Sequence, residues 1–250
     1  MTRSILERAE QVVVFASPPR STNQSFAHFV AAHGFHPEVA SANPDRGDFP
    51  NEYIGRESDL DAIFEVTLAK LPTDESYAGG PLALIDTPHH LLLPQYLDAR
   101  PDLLAVLITR DPVAWARSVQ KNLYHSANLF APYERDGGGG FPPDAVLLEA
   151  LLPRSGYTSW RSVPLAELAG AYARRIDEVA ALFESRQASK QLLTLRVENS
   201  AAHIASKIGE HLGFEPSIGY PRVDRLKGVN VRDYMRSASE SSTEGPAAGS

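Results

Sequence analysis

The chain contains no cysteine, which excludes disulfides, thiol nucleophiles and thiolate metal sites and is compatible with any redox compartment. No apolar run approaches the ~18 residues of a membrane-spanning helix, and Met1-Thr2-Arg3-Ser4 does not open a signal-peptide core. Positive charge is also in short supply. With 24 Lys and Arg against 31 Asp and Glu, the net charge of −7 argues against general nucleic-acid binding. No segment carries the Gly-x-x-x-x-Gly-Lys-Ser/Thr turn of ATP-binding loops. His28, His33, His36, His125, His203 and His211 show no metal-ligand spacing. What is present is 250 residues with 43% hydrophobic content, enough to bury the core of a single α/β domain.

Two segments carry chemistry. In the first, Gln11-Val12-Val13-Val14-Phe15-Ala16 is a continuous apolar run, as a buried parallel strand requires. It ends in Ser17-Pro18-Pro19-Arg20-Ser21-Thr22-Asn23-Gln24-Ser25, after which Phe26, Phe29 and Val30 repeat with a helical period. A strand feeding a helix N-terminus aims backbone N–H groups at one point, where the helix dipole favours negative charge. Arg20 and the short polar side chains of Ser21 to Ser25 add donors. The turn therefore suits a phosphate or sulfate group, or else it is an ordinary connection carrying a surface arginine.

In the second, Leu103-Leu104-Ala105-Val106-Leu107-Ile108-Thr109 is another apolar run, followed by Arg110-Asp111-Pro112. Asp111 can cap a helix whose first turn tolerates Pro112. Arg110 then stands at the strand's carboxyl end, and Ser118 lies about two turns along the helix on a similar side. Open α/β sheets bind ligands outside those strand ends. The two residues form a second anion site, or Arg110 pairs locally with Asp111 and Ser118 is incidental.

The two motifs, in this order, resemble those of sulfotransferases that use 3′-phosphoadenosine 5′-phosphosulfate. That family has a strand leading into a Pro-Arg/Lys-Ser-Gly-Thr-Thr turn around the 5′-phosphosulfate, matched here by Pro19-Arg20-Ser21. A later strand ends in Arg-Asp/Asn-Pro with a serine eight residues beyond the arginine, matched by Arg110, Asp111, Pro112 and Ser118. Leu84-Ile85-Asp86-Thr87-Pro88, the segment 192–199 and Ile208-Gly209-Glu210-His211-Leu212-Gly213-Phe214 resemble further family segments. The likeness spans about residues 11 to 230. It implies a three-layer α/β/α fold around a central, mostly parallel sheet. It also implies sulfuryl transfer to a hydroxyl of a small-molecule acceptor, with the nucleotide as co-substrate and no metal.

By the same resemblance, Arg20, Ser21, Thr22, Asn23, Gln24, Ser25, Arg110 and Ser118 hold the nucleotide. Arg225, Lys227 and Gly228 match a late loop that closes over its 3′-phosphate. The family's glycine is Thr22 here and its paired threonines are Asn23 and Gln24, so Thr22 either keeps a negative φ or is strained. Soluble members carry Lys-Thr-His where this chain has Asp86-Thr87-Pro88-His89-His90. Asp86, His89 and His90 are the candidates for the base that takes the acceptor's proton, while Arg20 would stabilise the charge developing on the bridging and sulfuryl oxygens. A relative that binds the nucleotide without turnover, or a small-molecule kinase, would share part of this pattern.

The expected organisation is strands at 11–17, 81–86, 103–109 and 191–197. Helices are expected at 25–33, 59–71, 90–98, 112–127, 165–186 and 200–212, an alternation that indicates a parallel sheet. One domain is expected over 1–236, with an irregular insertion at 130–164 over the acceptor site and a disordered tail at 237–250. Aromatic residues in 36–58 and 128–164 either line an acceptor pocket or pack. An activated-sulfate donor implies the cytoplasm. Membrane and nucleic-acid partners are not expected, and the sequence does not fix the oligomeric state.

Overall fold

The structure is a computed structural model that describes residues 5–39, 53, 55–71, 77, 79–122, 129–130 and 142–221. Five strands, β1 (Val12–Phe15), β2 (His36–Val39), β3 (Leu82–Ile85), β4 (Leu104–Thr109) and β5 (Leu192–Arg196), form one sheet in the order β2-β3-β1-β4-β5. Every pairing is parallel, with Val13 opposite Ala83 and Leu104, and Ala105 opposite Leu192. The continuous apolar runs are explained by this arrangement: a strand covered on both faces has no polar side to show.

Alternation along the strands sends Val12, Val14, Leu82, Leu84, Ala105 and Leu107 to one face and Val13, Phe15, Ala83, Ile85, Val106 and Ile108 to the other. The second face is covered by α2 (Asn23–Ala31) and α8 (Ala201–Leu212) through Phe26, Phe29, Ile204 and Ile208. Phe15 and Phe26 stack there with centroids 4.5 Å apart. The first face is covered by α3 (Leu60–Lys70), α4 (Leu93–Ala99), α5 (Pro112–Asn122), α6 (Pro142–Leu151) and α7 (Leu165–Ser185). A short α1 (Ile5–Arg8) buries Ile5 and Leu6 against the same layer. This is the expected three-layer α/β/α architecture. Among the described residues, no helix is long and apolar enough to cross a membrane.

Three local expectations need correction. The segment after α2 contains an edge strand, β2, where no strand was expected. Its Pro37 cannot donate to a ladder, and β2 tolerates it because it pairs with β3 alone. The expected helix at 90–98 is a 3₁₀ turn at His89–Leu91 followed by α4. Within the supposedly irregular stretch 130–164, α6 is a regular helix whose Ala145, Val146, Leu147 and Leu148 are buried in the core. The tail at 237–250 and the late loop with Arg225, Lys227 and Gly228 lie outside the described residues.

The carboxyl ends of β1 and β4 define where a ligand fits. The chain leaves β1 toward β2 on one side and leaves β4 toward β5 on the other, so a crevice opens between the two strand ends. After α8, Gly213 caps the helix in the left-handed region at φ 83°. Gly209 packs so tightly that a Cβ there would stand 2.5 Å from the Phe214 carbonyl oxygen. That close approach turns residues 214–220 back across α2, where Phe214 and Tyr220 contact Phe29.

Candidate active site

The turn after β1 is held by contacts from the β4 side. Ile108 N–H donates to Ser17 Oγ at 2.7 Å, Trp115 Nε1 to the Pro19 carbonyl at 2.8 Å, and Arg110 Nη1 to the Arg20 carbonyl at 3.0 Å. Asp111 caps α5 as its sequence position demands, its Oδ1 accepting from Ala114 N–H at 2.7 Å. Trp115 stacks on Tyr172 of α7 with centroids 4.5 Å apart and planes 22° from parallel. The Tyr172 hydroxyl accepts from the Arg110 N–H at 3.2 Å. The two motifs, some ninety residues apart in sequence, therefore form one bridged unit.

Backbone conformation is unusual at the same place. Arg20, Thr22 and Asp86 adopt φ of 67°, 77° for Asp86 and 75° for Thr22, all in the left-handed region that side chains disfavour. Such residues cluster at functional sites, each costing on the order of 1–3 kcal/mol. Thr22, being β-branched, is the clearest outlier, and it takes the strained alternative that its substitution for glycine left open. Its hydroxyl lies 2.9 Å from the Tyr220 hydroxyl, which ties the turn to the segment after α8. No side chain caps α2, so the amides of its first turn are left for an anion.

Several polar atoms around the turn are buried without a hydrogen-bond partner of good geometry among the described residues: Ser21 Oγ, Ser25 Oγ, Asn23 Oδ1, Thr87 Oγ1 and Arg110 Nε. Natural structures rarely leave such groups unmade, and each asks for an explanation such as a ligand. Arg20 is exposed as a residue. Desolvation of its guanidinium and the neighbouring Arg110 push its pKa down, while the carboxylates of Asp86 and Asp144 pull it back up. Gln24 is exposed, and Ser118 is half-buried on α5.

At the β3 end, Asp86 Oδ1 accepts from Asn23 Nδ2 and from Thr87 N–H, both at 3.0 Å. Asn23 of the first motif thus orients the carboxylate at the end of β3. His89 and His90 turn inward instead. His89 is 1% exposed and its Nδ1 lies 2.7 Å from the Tyr96 hydroxyl; His90 is fully buried. Burial lowers both pKa values to about 3. For His90 the nearby Arg175 cation adds to the effect. Both are neutral core residues at physiological pH.

Sequence reading missed one member of the cluster. Asp144, in the first turn of α6, lies within electrostatic reach of Asp86 and Arg20, and beside Trp160. The signal was there: Pro142-Pro143-Asp144 is proline at a helix start followed by an acidic first-turn residue. Tyr172 and Tyr220 were also missed, and nothing in their local sequence marks them.

The sequence matches the family described as Sulfotransferase domain over residues 13–228. The chain belongs to the sulfotransferase domain family. No curated protein matches it significantly. Among solved structures, it resembles a sulfotransferase from Alicyclobacillus acidocaldarius at 15% identity and TM-score 0.46, covering 92% of this chain and 93% of that one. It resembles a gluconokinase from Sinorhizobium meliloti 1021 at 17% identity and TM-score 0.27, covering 70% and 96%. At such scores neither likeness carries weight, and membership rests on the sequence match. Among the described residues of this sulfotransferase, no group of three or more His, Asp or Glu side chains could hold a metal ion.

The buried histidines make the sulfotransferase fold sensitive to acid. Their folded pKa values lie below the unfolded value of about 6.5, so the stability they contribute is present above 6.5 and lost as pH falls toward 3. Asp144 acts oppositely, because its pKa is raised to about 7 and its stability is lost as pH rises through that value. As pH falls from 6.5 to 4.5 the unfolded chain comes to bind up to two more protons at the histidines and up to one fewer at Asp144. The net is small near pH 6.5 and approaches one proton around pH 5, a slope there of roughly 1 kcal/mol per pH unit. Urea unfolding midpoints should fall over this window, more steeply in its lower half; a flat profile would contradict the buried neutral histidines.

Proposed function

We propose that this protein transfers a sulfuryl group from 3′-phosphoadenosine 5′-phosphosulfate to a hydroxyl of a small-molecule acceptor. The observation that carries the reading is the convergence of Arg20, Arg110 and the buried hydroxyls of Ser21 and Ser25 at the β1/β4 crevice. On this reading the 5′-phosphosulfate would lie against the turn 20–25 and the α2 N-terminus, and the 3′-phosphate against Arg110 and Ser118. Arg225, Lys227 and Gly228 would complete the nucleotide site from the late loop. The donor's intracellular origin favours a cytoplasmic protein acting without nucleic-acid or membrane partners.

Transfer is in-line. The acceptor oxygen attacks sulfur while the bridging S–O bond breaks and its electron pair remains on the 5′-phosphate. Arg20 and the amides of the turn stabilise the negative charge that grows on the leaving oxygen, where preorganised donors are most effective. The acceptor's proton passes to the carboxylate group at the β3 end, where Asp86 stands, rather than to His89 or His90, whose burial leaves them weakly basic. A nucleotide-binding relative without turnover is the other reading, favoured by the substitutions at Thr22, Asn23 and Gln24. Release of adenosine 3′,5′-bisphosphate from the donor, dependent on an added hydroxyl compound, tests transfer. Binding without release across a broad acceptor panel would favour the second reading.

Tyr172 enters this account as a positioning residue. Tyr172→Phe keeps the stack on Trp115 but removes the hydroxyl that accepts from Arg110 N–H. An unpaired donor costs about 1–3 kcal/mol, so affinity for adenosine 3′,5′-bisphosphate should fall about 5- to 100-fold. Affinity for adenosine 5′-monophosphate, which has no 3′-phosphate, should change little. Equal losses for both ligands would mean that Tyr172 supports the fold alone.

A further inference from the structure

We propose that Tyr220 is a positioning residue of the donor-binding turn: its hydroxyl draws the Thr22 hydroxyl away from α2 and so keeps the helix N-terminus open for the donor's 5′-anion. The inference rests on the sulfuryl-transfer reading above and names what holds the first anion turn in shape. Thr22 is the N-cap residue of α2, its carbonyl accepting from Phe26 N–H at 2.9 Å. A threonine at that position ordinarily takes extended backbone and turns its own hydroxyl onto the N–H of the second or third helical residue, here Gln24 or Ser25. Thr22 does neither. Its backbone is left-handed at φ 75° and ψ 25°, and its side chain makes no cap. Thr22 Oγ1 lies instead 2.9 Å from the Tyr220 hydroxyl, which also reaches the Thr22 carbonyl at 3.5 Å.

Tyr220 can impose this conformation because it is itself fixed. The segment from Phe214 to Tyr220 is pinned along its length. Phe214 N–H donates to the Gly209 carbonyl at 2.9 Å, and the Phe214 ring stacks on His33, in the turn after α2, with centroids 4.4 Å apart. Ser217 N–H donates to His33 Nε2 at 2.9 Å. Tyr220 N–H reaches the Ala201 carbonyl at 3.4 Å, and its buried ring packs on Phe29 at 5.5 Å. Burial pushes the Tyr220 pKa up, with the Thr22 hydroxyl acting in the opposite sense, so the phenol keeps its proton at physiological pH.

Two arrangements of one residue therefore compete. In one, Thr22 relaxes to negative φ and caps its own helix, covering a donor that the anion needs. In the other, which the structure shows, the strain of a left-handed β-branched residue is offset by the bond to Tyr220, and the first-turn amides stay free. Ser25 Oγ, fully buried in the same helical turn without a hydrogen-bond partner among the described residues, is a further donor for the same anion. Glycine at position 22 would need no such clasp, having neither a Cβ to clash nor a hydroxyl to cap. Thr22 and Tyr220 together replace a glycine. Removing the phenol hydroxyl shifts the balance to the self-capped form, and a ligand that binds only the open form loses affinity in proportion to the fraction left open.

Tyr220→Phe keeps the ring against Phe29 and removes the hydroxyl alone. Affinity for adenosine 3′,5′-bisphosphate, read by calorimetric titration, should fall about tenfold, as strain and a regained cap both favour the closed form. In a Thr22→Gly background the same substitution should change affinity by less than about twofold, because neither the strain nor the cap remains. The NMR chemical shifts and HN–Hα coupling of Thr22 in the ligand-free proteins give a second readout. They should report a left-handed residue in the wild type and negative φ in Tyr220→Phe. An equal loss of affinity in both backgrounds would mean that Tyr220 only packs, and it overturns the clasp. Wild-type affinity in Tyr220→Phe, or a Thr22 that stays left-handed there, overturns it as well. If the wild-type protein does not bind adenosine 3′,5′-bisphosphate, the sulfuryl-transfer reading falls instead, while the conformation of Thr22 in Tyr220→Phe still decides whether the clasp exists.

Discussion

Replacing Arg20 by alanine is expected to depress sulfuryl transfer about 10²–10³-fold while weakening donor binding far less. Arg20 stands in the turn between β1 and α2, in the left-handed region at φ 67°. Its backbone is fixed independently of its side chain, by Arg110 Nη1 on its carbonyl and Trp115 Nε1 on the carbonyl before it. Truncating the side chain therefore leaves the turn in place and removes one preorganised cation from the developing charge. Losing a single donor of that kind typically costs about two to three orders of magnitude in turnover. Single-turnover rates with saturating donor separate the two effects. A wild-type rate in Arg20→Ala would mean that the turn binds an anion but does not drive the chemistry.

Arg110→Ala should do the reverse, abolishing most nucleotide affinity and with it the thermal stabilisation the nucleotide confers. A charge-assisted contact contributes about 1.5–3 kcal/mol, so affinity should fall at least about tenfold. Arg110 also bridges the two motifs through the Arg20 carbonyl, which adds to the loss. Its main chain remains held by Tyr172, and the residue is only half-buried, so the fold should survive. Calorimetric titration of the folded variant checks this, and undiminished affinity would remove Arg110 from the site.

The parts of this molecule legible in the sequence are those where burial leaves no alternative. β1, β3 and β4 could be read because each is a nearly continuous apolar run that ends in a turn signal, the mark of strands covered on both faces, and β5 because three of its five residues are leucine. The cap at Asp111 could be read because it follows from local backbone chemistry. Edge strand β2 could not, since three of its four residues are polar or proline and its place depends on pairing with β3. Helix α6 was obscured by the run of glycines before it and by two prolines that in fact open it. In the site, the arginines of both motifs were visible from their spacing, but the contacts joining them were not. Trp115, Tyr172 and Tyr220 reach the motifs across the fold, and Asp144 comes within electrostatic reach of Asp86 only once α6 is docked. Two adjacent histidines that stood as candidates for the base proved to be core, because the 3₁₀ turn carries both inward.

The central claim is that the β1/β4 crevice is a site for a nucleotide bearing both a 3′- and a 5′-anion. Thermal unfolding with adenosine 3′,5′-bisphosphate, magnesium–ATP and adenosine 5′-monophosphate, each added separately, tests it most directly. At about one hundred times its dissociation constant, the bisphosphate should add about 2.7 kcal/mol of stability, with magnesium–ATP and the monophosphate adding much less. Stabilisation by magnesium–ATP equal to or greater than that by the bisphosphate would contradict the account.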